Sequence, residues 1–101
     1  MTLYIDGTDY NSVTYALGGK DGIVVSKKYN IDPHQSHRTL QYLDTFLNSK
    51  KFKTADIKKI VVSKGPGSFT GTRISIAHAM ALGLAWGVPV KAVSREKFVI
   101  R

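Results

Sequence analysis

The sequence predicts a single α/β domain: a three-stranded antiparallel meander, then two helices alternating with two further strands. Three observations carry this. The first thirty residues hold three short apolar or alternating runs separated by turn residues. After Pro33, apolar residues recur at helical spacing. Downstream, an unbroken apolar run passes through a glycine-rich loop into a long apolar stretch, closed by Gly87 and Pro89.

Taken in order, Thr2 to Asp6 is a short apolar run ending in the turn residues Asp6-Gly7-Thr8, and reads as a strand. Ser12 to Leu17 alternates, with Val13, Tyr15 and Leu17 on one face, as a half-buried strand does. Gly18 to Gly22 supplies the glycines a hairpin turn needs, and Ile23 to Tyr29 is the return strand. Pro33 ends the meander. Ser36 is placed to cap a helix running to Lys51, with Leu40, Tyr42, Leu43, Phe46 and Leu47 on one broad stripe. Lys50-Lys51 at its end complements the helix dipole. Asp56 to Lys59 reads as one short turn. Ile60 to Ser63 is a strand without alternation, so it is expected to be interior and covered on both faces. A second helix spans Gly71 to Trp86, a last strand Val88 to Val93, and Ser94 to Arg101 is left as a tail.

The composition is globular. The 101 residues include 43% hydrophobic and 22% charged positions, which excludes a disordered or fibrous chain and fits one domain. There is no cysteine, hence no disulfide framework, thiol nucleophile or cysteine-ligated zinc. The start lacks a basic segment followed by an apolar one, so no signal peptide is expected and a cytoplasmic location is the default. A formal net charge of +8 favours a polyanionic partner through long-range attraction. Lys27-Lys28, Lys50-Lys51-Lys53 and Lys58-Lys59 nevertheless sit at element ends, where paired lysines are usually solvated.

The second helix has no polar side. From Ile74 to Trp86 its only polar side chains are Ser75 and His78, which share a sector with Leu82. A helix apolar all round must be covered all round. It is too short and too interrupted, by His78 and Gly83, to span a membrane. The sheet covers one side and the first helix another; a third side remains. Ala77, Ala81 and Ala85, with Gly71 and Gly83, would allow a helix to approach closely. The expected result is an apolar surface for a second polypeptide, formed by Leu40, Leu43, Leu47, Ile74, His78 and Leu82; the plainer alternative is that the first helix covers everything.

Strand, glycine-rich loop and helix form the geometry in which backbone amides and a helix N-terminus hold an anion. Lys64 to Arg73 fits that outline, with Gly65, Gly67, Ser68, Thr70 and Arg73 as candidate anion or nucleotide ligands. It lacks the Gly-Lys-Ser/Thr ending of a nucleotide P-loop. A structural turn with close backbone approach fits equally well.

Gly65-Pro66-Gly67-Ser68-Phe69-Thr70-Gly71-Thr72-Arg73-Ile74 closely resembles the signature of the bacterial TsaB (YeaZ) proteins. The likeness continues through the small-residue helix into Gly87-Val88-Pro89-Val90 and Val93-Ser94, and extends upstream to Arg38-Thr39-Leu40 and Asp56-Ile57. The resemblance implies one lobe of an actin-like, ribonuclease H-like α/β fold, with a mixed five-stranded sheet and helices packed on it. It further implies a non-catalytic partner of a TsaD-like enzyme, paired through a bundle of the first two helices of each N-terminal lobe. With a TsaE-like protein, such pairs install the threonylcarbamoyl group on tRNA adenosine beside the anticodon, metal and substrate chemistry lying on TsaD. Resemblance therefore implies no catalytic residue, metal or cofactor in this chain, and at most weak or indirect contact with tRNA. The chain ends where the family's next helix would begin, so a single lobe is expected, the second being absent. Departures are Gly7 within Asp6-Gly7-Thr8, Gln35 between His34 and His37, and Ser75 where glycine is common.

Remaining candidates have plainer readings. Asp6 at a strand end suits a water-bridged Mg²⁺ but more simply closes a turn. His34 and His37 lack a third ligand nearby in sequence and fit a helix entry. His78 is read as a buried histidine satisfied by a neighbour. Two rival functions follow: a nucleotide-binding half-site using Asp6-Gly7-Thr8 and the 64–73 loop, completed by dimerisation, or a basic nucleic-acid module, for which Tyr4, Tyr15 and Tyr29 either stack bases or belong to the core.

Overall fold

A computed structural model of the chain describes residues 1–19, 22–32, 39–49 and 52–95. Strands β1 (Thr2–Asp6), β2 (Ser12–Gly19) and β3 (Gly22–Asn30) form the antiparallel meander. Helix α1 (Thr39–Ser49) follows, then a single 3₁₀ turn at Thr54–Asp56. Strand β4 (Lys59–Ser63), helix α2 (Phe69–Trp86) and strand β5 (Val90–Val93) complete the chain. One five-stranded mixed sheet results, in the order β3-β2-β1-β4-β5, with β4 parallel to both β1 and β5.

Each strand stands where its side chains require. Leu3 and Ile5 of β1 lie level with Ile60 and Val62 of β4 and with Leu17 and Tyr15 of β2, so one sheet face is continuously apolar. Ile60, Val61 and Val62 are all buried, as an unalternating strand inside a sheet must be. Lys27, Lys28, Lys58 and Lys59 are solvent-exposed at strand ends and edges. The β2–β3 register shifts at Leu17/Gly18, next to the hairpin turn.

Helix α1 covers the meander half of that face. Leu43, Phe46 and Leu47 enter the core with Tyr15, Leu17 and Leu3, and the Phe46 ring lies 6.1 Å from that of Tyr15. Burying each of these side chains contributes roughly 1.5–3 kcal/mol. This corrects the expectation for Leu43 and Leu47. They are 3% and 5% exposed, so the subunit's own sheet occupies them and they present nothing to a partner. The expected cap Ser36 and the terminal Lys50 and Lys51 lie outside the described residues, as do His34, His37 and Arg38.

Helix α2 crosses β4 and starts two residues earlier than the sequence spacing suggests, because Ser68 is the cap: its Oγ accepts from Gly71 N at 3.3 Å. Gly87 ends it in the left-handed conformation, φ 67°, with its N–H returned to Gly83 O. No helix among the described residues is long and apolar enough to cross a membrane.

Candidate functional site

Helix α2 is turned against ordinary amphipathic logic. Its buried stripe is Thr72, Ser75, Ala79 and Gly83: small or polar side chains. Its outward side carries Phe69, Met80 and Leu84, which are 73%, 62% and 88% exposed, together with the exposed Arg73, Ala77, Ala81 and Ala85. Close approach explains the inversion. A Cβ at Gly83 would lie 2.3 Å from Val90 Cγ2, so only glycine lets the helix sit this near β5. At the other end a Cβ on Gly7 would overlap Ser75 Oγ, and one on Gly71 would meet the Gly7 carbonyl oxygen. Small residues bring α2 down onto the sheet and the β1–β2 connection. Ile76, Leu82 and Trp86 pack beside them on the core, and Phe69, Met80 and Leu84 are left outside.

Two grooves flank the exposed ridge. One, of about 350 Å³, is lined by Phe69, Thr70, Arg73, Ile74 and Ala77. The Arg73 guanidinium lies over the Phe69 ring at 5.2 Å, a cation–π contact on the open surface. The other, of about 540 Å³, runs between the C-terminal half of α2 and β5, and is lined by Met80, Leu84, Val88 and Val90.

The expected interface residues divide. Leu40 is 41% exposed on the outer side of α1. Ile74, His78 and Leu82 are half-buried on the flank of α2, and Leu82 packs on the core. His78 Nδ1 lies 2.9 Å from Thr39 Oγ1, and the Thr39 carbonyl accepts from the Tyr15 hydroxyl at 2.7 Å. One polar chain thus joins α2, α1 and β2. Burial holds the His78 pKa below the usual imidazole value, and desolvation pushes the Tyr15 phenol upward. The exposed ridge of Phe69, Met80 and Leu84 was not among the expected contacts.

The glycine-rich loop is packed against the β1–β2 connection. Ser68 N donates to Thr8 O at 2.6 Å, and a Cβ on Gly67 would lie 2.5 Å from Thr8 Cβ. Gly65, at φ 105°, accepts from Arg95 N through its carbonyl at 2.6 Å. Of the five candidate anion ligands, Gly65, Gly67 and Ser68 belong to this contact, whereas Thr70 and Arg73 lie on the exposed first turns of α2. Asp6 closes its turn, its Oδ1 accepting from Thr8 N at 3.0 Å and from Thr8 Oγ1. Among the described residues no three His, Asp or Glu side chains gather as metal ligands.

The stacking platform expected of Tyr4, Tyr15 and Tyr29 is not formed. Tyr15 is 2% exposed in the core, and Tyr29 stacks on Tyr42 with centroids 5.3 Å apart. Register puts Tyr4 on the opposite sheet face from Tyr15, since Tyr4 pairs with Ala16. Among the described residues the exposed tyrosine is Tyr10, at 69%, on the β1–β2 connection.

The family model "TsaD: tRNA N6-adenosine threonylcarbamoyltransferase" matches residues 29–100. The tRNA threonylcarbamoyladenosine biosynthesis protein TsaB of Bacillus subtilis is 34% identical over 94 residues, covering 93% of this chain and 41% of that protein. The chain belongs to the TsaD-type family and, within it, to the TsaB (YeaZ) proteins. YeaZ from Pseudomonas aeruginosa superposes with a TM-score of 0.78 at 29% identity, over 92% of this chain and 44% of its own. RuvC of Thermus thermophilus, in complex with a Holliday junction substrate, shares the ribonuclease H-like fold alone: TM-score 0.64 at 10% identity, over 95% of this chain and 65% of its own. The chain spans less than half the length of the TsaB and YeaZ relatives.

Proposed function

We propose that this chain acts as a non-catalytic TsaB-type partner in threonylcarbamoyl modification of tRNA adenosine, pairing through α2 with a TsaD-type enzyme or with a second copy of itself. The observation that carries the reading is the outward ridge of Phe69, Met80 and Leu84 with its two flanking grooves. Contiguous exposed apolar surface on a soluble domain marks an interaction site. From Phe69 to Leu84 the ridge runs along about 22 Å of helix at 1.5 Å per residue. An aromatic ring with an arginine stacked on it at one end supplies the kind of anchor that dominates binding energy.

The partner's identity rests on the relatives' names and on the TsaD family match, and a TsaE-type protein is the expected third component. The chain's contribution to the reaction is then indirect, holding the partner's active form; its excess positive charge adds a weak, salt-sensitive attraction for tRNA. The rival half-site has less support, since Thr8 fills the space beside Gly67 that a phosphate would need. A pull-down with an affinity-tagged TsaD-type protein from the same organism tests the proposal. Retention of the chain, abolished by Leu84→Lys, is the expected outcome. Failure to be retained, together with a monomeric mass for the chain alone, counts against it.

A further inference from the structure

We infer that the tip of the β1–β2 connection is a contact site for unpaired RNA, one base stacking on the Tyr10 ring and the neighbouring phosphates meeting Arg95 and Lys28. None of these residues lines the grooves of the α2 ridge, and the inference is argued from them alone, without the pairing reading. Tyr10 is 69% exposed, and its connection is hydrogen-bonded on either side of it, at Thr8 and Asn11. Thr8 O accepts from Ser68 N at 2.6 Å, Asn11 O from Ile31 N at 2.8 Å, and Asp6 holds Thr8 from below. A ring held out on a fixed tip loses little conformational freedom when a base stacks on it.

The next residue gives the charge. Asp9 receives Arg95 Nη2 at 2.9 Å and Lys28 Nζ at 3.7 Å. One carboxylate therefore positions two cations whose side chains remain 45% and 59% exposed, and the trio is left with a surplus positive charge. Arg95 keeps further N–H donors for a phosphate. A ring one residue from the carboxylate that holds two cations offers a single strand both a stacking face and charge for its phosphates. An acidic peptide would use the cations and leave the ring idle.

The test is fluorescence anisotropy of the full chain with a fluorescein-labelled oligoadenylate, unpaired along its length, across a salt series. Tyr10→Ala is expected to weaken binding about tenfold at every salt concentration, and Tyr10→Phe to retain it. K28Q/R95Q is expected to flatten the salt dependence by about two phosphates' worth, at roughly 0.7 in slope for each. Asp9→Asn, which frees both cations, is expected to tighten binding. Melting curves of Tyr10→Ala and Asp9→Asn check the fold; if K28Q/R95Q melts early, those two variants decide. The inference is overturned if Tyr10→Ala stays within about twofold of the parent. It is equally overturned if K53Q/K58Q, at the opposite end of the strands, costs as much as K28Q/R95Q, or if polyglutamate displaces the RNA from the parent and from Tyr10→Ala alike.

Discussion

Gly83 packs against Val90 so closely that a Cβ would lie 2.3 Å from Val90 Cγ2, while Leu84, the next residue, is 88% exposed. The two neighbours set the orientation of α2. Whatever small side chain admits the sheet on one side commits its bulky neighbour to the other.

Gly83→Ala should therefore destabilise the domain despite alanine's better helix propensity. Propensity favours the change by about 1 kcal/mol. Overpacking against a β-branched residue held in a strand costs ~1–3 kcal/mol, and Val88 O at 3.1 Å leaves little room for the helix to shift. A lower urea midpoint for Gly83→Ala, restored in large part by G83A/V90A, is the expected pair of results. An unchanged midpoint would mean that the helix can lift without cost.

Much of this arrangement was legible in the residues. The meander follows from alternation and the glycine turn, and the stripe of α1 correctly gathers Leu43, Phe46 and Leu47. The apolar circumference of α2 announces an uncovered side. Which side could not be read from hydrophobicity, because a helix apolar all round has no preferred direction. The usable signal was the spacing of small residues Thr72, Ser75, Ala79 and Gly83, which marks the line of closest approach. Ala77, Ala81 and Ala85 carry the same kind of spacing and face outward, so the competing small-residue stripes were separable only by what packs on them. Leu43 and Leu47 were misassigned for a related reason: one stripe cannot cover the sheet and also greet a partner.

The loop makes a separate prediction. Gly67→Ala forces a Cβ to within 2.5 Å of both Thr8 Cβ and Thr8 O, so it should lower stability by about 1–3 kcal/mol. Millimolar phosphate or ATP should not restore the melting temperature. Restoration by either ligand would revive the anion-site reading of Gly65 to Arg73.

Tyr15→Phe removes the donor to Thr39 O while keeping the ring in place. The Thr39 carbonyl keeps the i+4 bond of its own helix, so the loss is that of one side-chain hydrogen bond, about 0.5–1.5 kcal/mol. Chemical denaturation should show that loss, with amide exchange at the start of α1 accelerated more than in β4. Equal protection in both segments would argue that water replaces the hydroxyl.

His78 gives a pH dependence whose sign is fixed by burial. Its folded pKa lies below the unfolded value, so between the two the unfolded chain binds more protons. The associated stability is complete above about pH 6.5 and is lost as the pH falls from there through the folded value. The fall in melting temperature between neutral and mildly acidic buffer should accordingly be smaller in His78→Gln, whose amide still reaches Thr39. An identical fall in both proteins would remove His78 as a source.

The central claim is that the outer ridge of α2 is a pairing surface and that Leu43 and Leu47 of α1 are not part of one. Light scattering coupled to gel filtration tests it most directly, with M80K/L84K set beside Leu43→Ala, alone and mixed with a TsaD-type protein. The parent should elute above its 11.1 kDa monomer mass in at least one of the two conditions. M80K/L84K should run as the monomer in both while keeping the parent's urea midpoint, since lysine is a good helix former near a helix C-terminus. Leu43→Ala should lose about 2–5 kcal/mol of stability yet still pair wherever it remains folded. A parent that stays monomeric throughout, or an M80K/L84K variant that pairs as the parent does, contradicts the account.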